Sequence, residues 1–459
     1  MGDAEEGPMP LAGATNEGSA RAIRPSPNPL PKGEGSSDAE KRSIPPGEGS
    51  AGGRPVERRM RRWEEQRWLL DAVIGAAGLD WDQGRSRYLV HPCGLDAEPD
   101  FARARQRVRK FADISREFAQ AAGRREALAQ AALAEGRTVT AREHAFIASV
   151  LWGAAQWPIF ENTPENIEYD ERKVRCYETF MAQAPHPVRR VEIPFGNASL
   201  PAYLHLPRES QGRVPCVLTI SGMDTFKEIA TAMYGDKLLE RGIARLCIDG
   251  PGQGECCTRG ITVTATNHAD AGRAAFEWLK GQPEIDPERL GLYGISMGSF
   301  WATQVAAAVP GLRGCAVAFV CHEPGMQTLF NTSSPTFKLR FMYMAGYEAE
   351  AEFDAFAATL SLEGLAERVT CPYLVIAGED DELSPIEHTY RLLEQVRAPK
   401  QLVVYQGERH SLGGGLASQL GPNRNTLVAD WFADRFAGRE LRSERVYVDT
   451  SGVSHVTAL

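Results

Sequence analysis

The spacing of apolar positions changes once along this chain, and the change divides it. From about residue 57 to 185 the pattern is helical. The stretch "RRWEEQRWLLDAVIGAAG" sets Trp63, Trp68, Leu69 and Val73 near helical spacing. Further helices are expected at 99–121, 123–135, 141–158 and 164–183. Two of them carry start signals. Thr140 with Glu143 reads as a capping box, and Thr163 before Pro164 reads as an N-cap followed by proline at the first helical position. The block predicts a helical domain over 57–185.

Beyond it the period shortens. "VRRVEIPF" and "LPAYLHLP" alternate as an antiparallel strand pair does. Then come short buried apolar runs, each followed by a helix-like segment: "VPCVLTISG", "ARLCIDG", "RLGLYGIS", "CAVAFVC", "CPYLVIAG" and "KQLVVYQG". Continuous apolar strands alternating with helices predict a mostly parallel sheet covered on both faces. Two antiparallel strands plus six parallel ones give an eight-stranded α/β domain over 186–445. Residues 323–369 exceed a simple crossover and predict an extra helical element. Residues 446–459 read as a C-terminal tail.

Residues 1–56 are rich in Gly, Pro, Ser and Glu and poor in aromatics, so they read as a disordered leader. Within it "PSPNPLPKGEGS" has the composition of a ligand for a proline-binding domain, and Met60 offers an alternative start. Over 459 residues, 43% hydrophobic and 24% charged composition fits a globular protein. A net charge of −9 argues against a nucleic-acid partner. No apolar run reaches the roughly 20 residues that span a bilayer, and no signal-peptide core opens the chain. The expected location is the cytoplasm, away from membranes. Nine cysteines, several inside apolar runs, read as reduced buried thiols. None has zinc-ligand spacing, so no metal is expected. Adjacent Cys256 and Cys257 read as loop positions rather than a redox pair.

The chemistry gathers at strand ends, where open parallel sheets place their sites. Ser296, in the pentapeptide Gly294–Gly298, ends one strand and opens the helix "MGSFWATQVAAAV". That strand–turn–helix setting is what a nucleophile elbow requires. The Met297 amide then stands at a helix start, where it can bind an oxyanion. A serine needs a base, and "YQGERHSLGG" supplies His410 after the last parallel strand. The turn "VIAGEDDELSP" supplies the orienting carboxylate. Asp381 is chosen over Asp380 because the turn needs length to reach back, and Ser384, Pro385 and Glu387 read as a capped helix start closing it. The order Ser, Asp, His excludes the two other familiar protease orders. The loop "SGMDTFKE" offers the Met223 amide as a second oxyanion donor.

Other features read more plainly. "DGPGQGE" follows a strand, but no helix is expected to open on its glycines and its spacing is not that of a dinucleotide loop. It reads as a tight loop beneath the site. His268 and His322 read as structural, Trp152, Trp157 and Phe160 as helix packing. Glu323, at a strand end, is a candidate substrate-binding carboxylate.

With the elbow, the acid turn and the histidine loop in place, the chain resembles the α/β-hydrolase superfamily over about 189–440. The motifs "GMDTFKE", "DGPGQGE" and "GISMGS" behind a helical block are similar to the 2,6-dihydroxypseudooxynicotine hydrolase and FrsA-like esterase group, over roughly 60–440. The resemblance implies an α/β-hydrolase fold with an N-terminal helical lid. It also implies hydrolysis of a small molecule at a carbon–carbon bond beside a ketone, or at an ester. No cofactor is implied. Under it Ser296, Asp381 and His410 take the triad roles, and Met223 and Met297 the oxyanion roles. A carboxylesterase is the alternative, and a non-enzymatic binding protein on the same scaffold the rival class. Lid-bearing hydrolases of this kind are often dimers, so a homodimer is an expectation.

Overall fold

The structure, a computed structural model, describes residues 60–209 and 212–459. The expected leader over 1–56, with its proline-rich segment, lies outside the described residues. Six helices come first: α1 (Arg61–Ala77), α2 (Arg85–Cys93), α3 (Glu98–Arg107), α4 (Phe111–Ala134), α5 (Thr138–Gln156) and α6 (Pro164–Ala182). The expected break near residue 122 is absent. Ala121 and Ala122 are buried inside the continuous helix α4, where small side chains let it pack along α5. Helix α5 starts before the expected capping box, with Arg137 rather than Thr140 at its N-cap. At α6 the expected signal operates: Thr163 Oγ1 accepts the Asn166 N–H at 3.1 Å and Pro164 takes the first turn. On α1 the inward face is Leu70 and Ile74. Trp68, Leu69 and Val73 are exposed, so the face read from sequence is rotated.

Among the described residues the sheet has ten strands rather than eight: β1 (Val188–Phe195), β2 (Ala198–His205), β3 (Val214–Ile220), β4 (Ala244–Ile248), β5 (Ile285–Ile295), β6 (Gly314–Ala318), β7 (Tyr373–Gly378), β8 (Lys400–Tyr405), β9 (Glu444–Val448) and β10 (Ser454–Ala458). Their order is β1-β2-β4-β3-β5-β6-β7-β8-β9-β10. β2 is antiparallel to β1 and β4, while β3 to β9 run parallel. Of the two extra strands, β9 straddles the expected domain end at 445 and β10 lies within the segment read as a tail. β9 extends the parallel set beside β8, and β10 turns back antiparallel. Their turn is built by Asp449, whose Oδ1 accepts the Ser451 and Val453 N–H groups at 2.8 and 3.1 Å.

Crossovers place α7 (Gly254–Thr258), α8 (Asn267–Lys280) and α9 (Met297–Ala308) between β4 and β6. The expected element over 323–369 holds α10 (Pro335–Ala345) and α11 (Glu350–Ala357); α12 (Ile386–Gln395), α13 (Leu416–Leu420) and α14 (Arg424–Phe436) follow. The short helix α7 opens at Gly254, inside the "DGPGQGE" stretch expected to carry none. Strands β3 to β7 are buried along their length except at the ends of β5, as the continuous apolar runs require of a sheet covered on both faces.

The helical segment is keyed to the sheet next to the site. Phe226, after β3, lies on α5 at Gly153, where a Cβ would sit 2.1 Å from its ring. Tyr177 of α6 packs at a tilt against Tyr203 of β2, with a centroid distance of 4.4 Å. Among the described residues no helix is long and apolar enough to cross a membrane.

Candidate active site

The chain leaves β3 toward β4 on one side and returns to β5 on the other. This reversal opens the crevice where open α/β sheets bind ligands. Ser296 sits there between β5 and α9, with φ 56° and ψ −125°. Positive φ costs a non-glycine residue roughly 1–3 kcal/mol, a cost the surroundings must hold in place. They do so by close packing. A Cβ on Gly298 would lie 2.3 Å from the Ile220 carbonyl oxygen, and the Ser296 N–H donates to the Ala318 carbonyl at 2.8 Å. The glycine is therefore a steric requirement of the turn.

Three of the expected residues meet in one hydrogen-bonded chain. Ser296 Oγ lies 2.9 Å from His410 Nε2. His410 Nδ1 lies 2.9 Å from Asp381 Oδ2 and 3.1 Å from Oδ1. His410 and Asp381 are buried, and Ser296 is half-buried. Asp381 is fixed in turn by the Leu383 and Ser384 N–H groups, at 2.9 and 3.0 Å from its Oδ1. Asp380 instead points to solvent, its backbone N–H donating to the Glu408 carbonyl. Burial disfavours a charged His410, but the adjacent Asp381 carboxylate outweighs burial and raises its pKa above the ordinary imidazole value. The arrangement can move a proton from a hydroxyl to an imidazole and hold the resulting cation.

Met297 is the first residue of α9, so its amide has no partner inside the helix. Met223 follows Gly222, and the position of a Cβ on Gly222 lies 3.0 Å from Ser296 Cβ. Both amides thus flank the serine. The Glu323 carboxylate is engaged by its neighbours: it accepts the Thr328 N–H and hydroxyl at 2.8 and 3.1 Å and lies 3.9 Å from His388 Nε2. His322 and His268 are buried and pushed down to about 3 by that burial. His322 bonds Thr389, and His268 stacks on Trp301 at 3.9 Å. Ser384 does not cap α12; its hydroxyl accepts the His322 N–H at 3.0 Å. Trp157 and Phe160 pack with Phe111, and Trp152 packs against Tyr169. All nine cysteines are free and buried.

Several supporting residues have no sequence spacing that could announce them. Gln253 donates from Nε2 to the Ser221 and Gly222 carbonyls at 2.8 and 3.0 Å, and its Oε1 accepts the Gly250 N–H at 3.1 Å. It ties the loop after β4 to the loop that carries Met223. Lys227, fully buried, reaches Glu228 at 2.8 Å, Asp249 at 2.9 Å and Glu255 at 2.5 Å. Arg190 and Arg259 complete the pairing of Glu255. Burial notwithstanding, Lys227 and Arg190 hold Glu255 well below the usual carboxylate range. This network is why "GMDTFKE" and "DGPGQGE" occur together: a lysine from one neutralises acids of both. Glu382 accepts the His410 N–H at 2.9 Å. Glu408 accepts the N–H groups of Gly415 and Ser418 at 2.9 and 3.1 Å and so shapes the loop that follows the histidine. Asp224 is held by Arg85 of α2 at 2.7 Å, which links the Met223 loop to the helical segment.

The ten-stranded sheet, the elbow at β5 and the acid and histidine loops after β7 and β8 define an α/β hydrolase. The chain belongs to the esterase FrsA-like family, whose model matches residues 122–403. It is 26% identical to the 2,6-dihydropseudooxynicotine hydrolase of Paenarthrobacter nicotinovorans, over 70% of this chain and 82% of that one. It is 25% identical to Esterase FrsA of Serratia proteamaculans (strain 568), over 60% of this chain and 68% of that one. Among solved structures, that of the 2,6-dihydroxy-pseudo-oxynicotine hydrolase superposes with a TM-score of 0.67 at 23% identity, covering 77% of this chain and 97% of that one. The fold expected from sequence is therefore shown, and the chain is a hydrolase of this group acting on a small molecule.

Proposed function

We propose that Ser296 is the nucleophile of a serine hydrolase that cleaves a carbon–carbon bond beside a ketone through an acyl-enzyme. The observation that carries the reading is the unbroken chain Ser296–His410–Asp381, with contacts of 2.9 Å on both sides of the imidazole. Ser296 Oγ attacks the carbonyl carbon while His410 Nε2 takes its proton, and Asp381 holds the tautomer and stabilises the imidazolium. The amides of Met223 and Met297 receive the oxyanion. On collapse the carbon–carbon bond breaks, its electron pair leaves as an enolate, and His410 returns the proton to the enolate carbon. Water, activated by His410, then releases the acid and regenerates Ser296.

A hydrolase acting beside a ketone is supported by the likeness to the dihydropseudooxynicotine hydrolase, which spans most of both chains. Membership of an esterase family favours a second reading, in which the leaving group is an alkoxide or phenoxide and every protein step is the same. Turnover of an aryl β-diketone against that of a short p-nitrophenyl ester separates the two. The carbon–carbon reading expects Ser296-dependent cleavage of the diketone. If only the ester reacts, it fails and the esterase reading stands.

A further inference from the structure

A polar cavity opens off the loop that carries Met223. It is small, with about 20 Å³ of space for water-sized groups and partly open to solvent, and is lined by Gln156, Asn166, Lys173, Thr225, Arg340, Tyr343 and the Arg85-paired Asp224. Thr225 Oγ1 donates to the Gly222 carbonyl at 3.3 Å, and Gly222 abuts Ser296, so the cavity adjoins the serine. Most of its polar groups are already engaged. Lys173 donates to Asp170 at 2.6 Å and to Gln156 at 3.2 Å. Tyr343 donates to Asn162 at 2.6 Å and accepts from Asn166 at 3.2 Å.

Arg340 is the exception. It lies on α10 with 9% of its surface exposed. Among the described residues its guanidinium forms no hydrogen bond and no ion pair, and its buried Nε has no partner. The guanidinium lies over the face of the Tyr343 ring, 5.3 Å from its centroid. Buried Arg85 and Arg245 are matched by carboxylates, Arg85 by Asp82 and Asp224 and Arg245 by Asp236, and buried Arg435 reaches the Glu440 carbonyl at 3.4 Å. An uncompensated buried charge is costly, and a guanidinium presents a planar fork of donors suited to a carboxylate.

We propose that Arg340 binds a carboxylate on the substrate, so that the enzyme acts on acyl compounds bearing a second, ionised acid group. This rests on the reading of Ser296 as the nucleophile. The carboxylate is held in the cavity by the guanidinium while the carbonyl to be attacked lies between Ser296 and the Met223 loop.

The test compares kcat/KM for p-nitrophenyl hydrogen glutarate with that for its neutral methyl ester. In the wild type the acid is favoured by on the order of ten- to a hundredfold, the worth of a charge-assisted hydrogen-bond pair. In Arg340→Gln that ratio falls to about one, and in Arg340→Lys it is intermediate. Glutarate, but not dimethyl glutarate, slows fluorophosphonate labelling of the wild type, a readout that needs neither ester turnover nor a stable variant. A wild-type ratio near one, a ratio unchanged in Arg340→Gln, or equal effects of the two glutarates overturns the proposal. Failure of the underlying reading looks different: both esters would be hydrolysed undiminished by Ser296→Ala.

Discussion

Lys227→Met is the most demanding test of how the two loops beneath the site are held. In the native protein four cations (Lys173, Arg190, Lys227 and Arg259) face five carboxylates (Asp170, Glu192, Glu228, Asp249 and Glu255). Lys227 touches three of those acids and is fully buried, as are Glu228 and Asp249. Methionine fills nearly the same volume, so the change removes charge with little loss of packing. Breaking a buried ion pair from one side costs about 3–5 kcal/mol, and here the stranded charge is a cluster. Unfolding in urea, followed by tryptophan fluorescence, should lose at least that much at pH 8. The loss should shrink toward about pH 5.5, because the stranded carboxylates acquire raised folded-state pKa values. They then take up protons on folding, which favours the folded state as pH falls. Adding Glu228→Gln should recover at least about 1 kcal/mol by removing one stranded charge. A loss below about 1 kcal/mol at pH 8, or a loss independent of pH, would refute the claim that this network anchors the loops.

Two further changes probe the site. Asp381→Asn should lower kcat by on the order of 10⁴-fold with little change in fold, because the imidazole loses its orienting acceptor. In the wild type, kcat/KM should rise with pH through an apparent pKa above the ordinary imidazole value, since His410 must be neutral to accept the proton and Asp381 raises its pKa. A limb below that value would contradict the raised pKa. Gln253→Leu removes both donors to the Ser221 and Gly222 carbonyls. It should lower kcat more than it raises KM, on the order of tenfold or more, as steady-state kinetics would show; an effect confined to KM would mean that Gln253 does not position the Met223 amide.

Much of this architecture was legible because it rests on local rules. Buried parallel strands must be continuously apolar, so β3 to β8 could be read from runs such as "CVLTI" and "YLVIA". The elbow was legible because close packing forces glycine at Gly298. The C-terminal hairpin was not, since β9 is half-buried and β10 fully exposed, leaving no apolar run to mark them. The rotated face of α1 escaped because aromatic and aliphatic residues stand on both its sides. Gln253 and Glu382 act through partners far away in sequence, and no single-chain pattern carries such pairings. The ion network was half legible: its residues stood in the two motifs, but their joining through Lys227 needed coordinates.

The central claim is that Ser296 is an activated nucleophile, and one measurement bears on it most directly. An aryl fluorophosphonate is incubated with the protein, and the site of modification is mapped by peptide mass spectrometry. The account predicts stoichiometric labelling confined to Ser296, lost in Ser296→Ala and slowed strongly in Asp381→Asn. Absence of labelling in the folded wild type, or labelling that persists in Ser296→Ala, would contradict it.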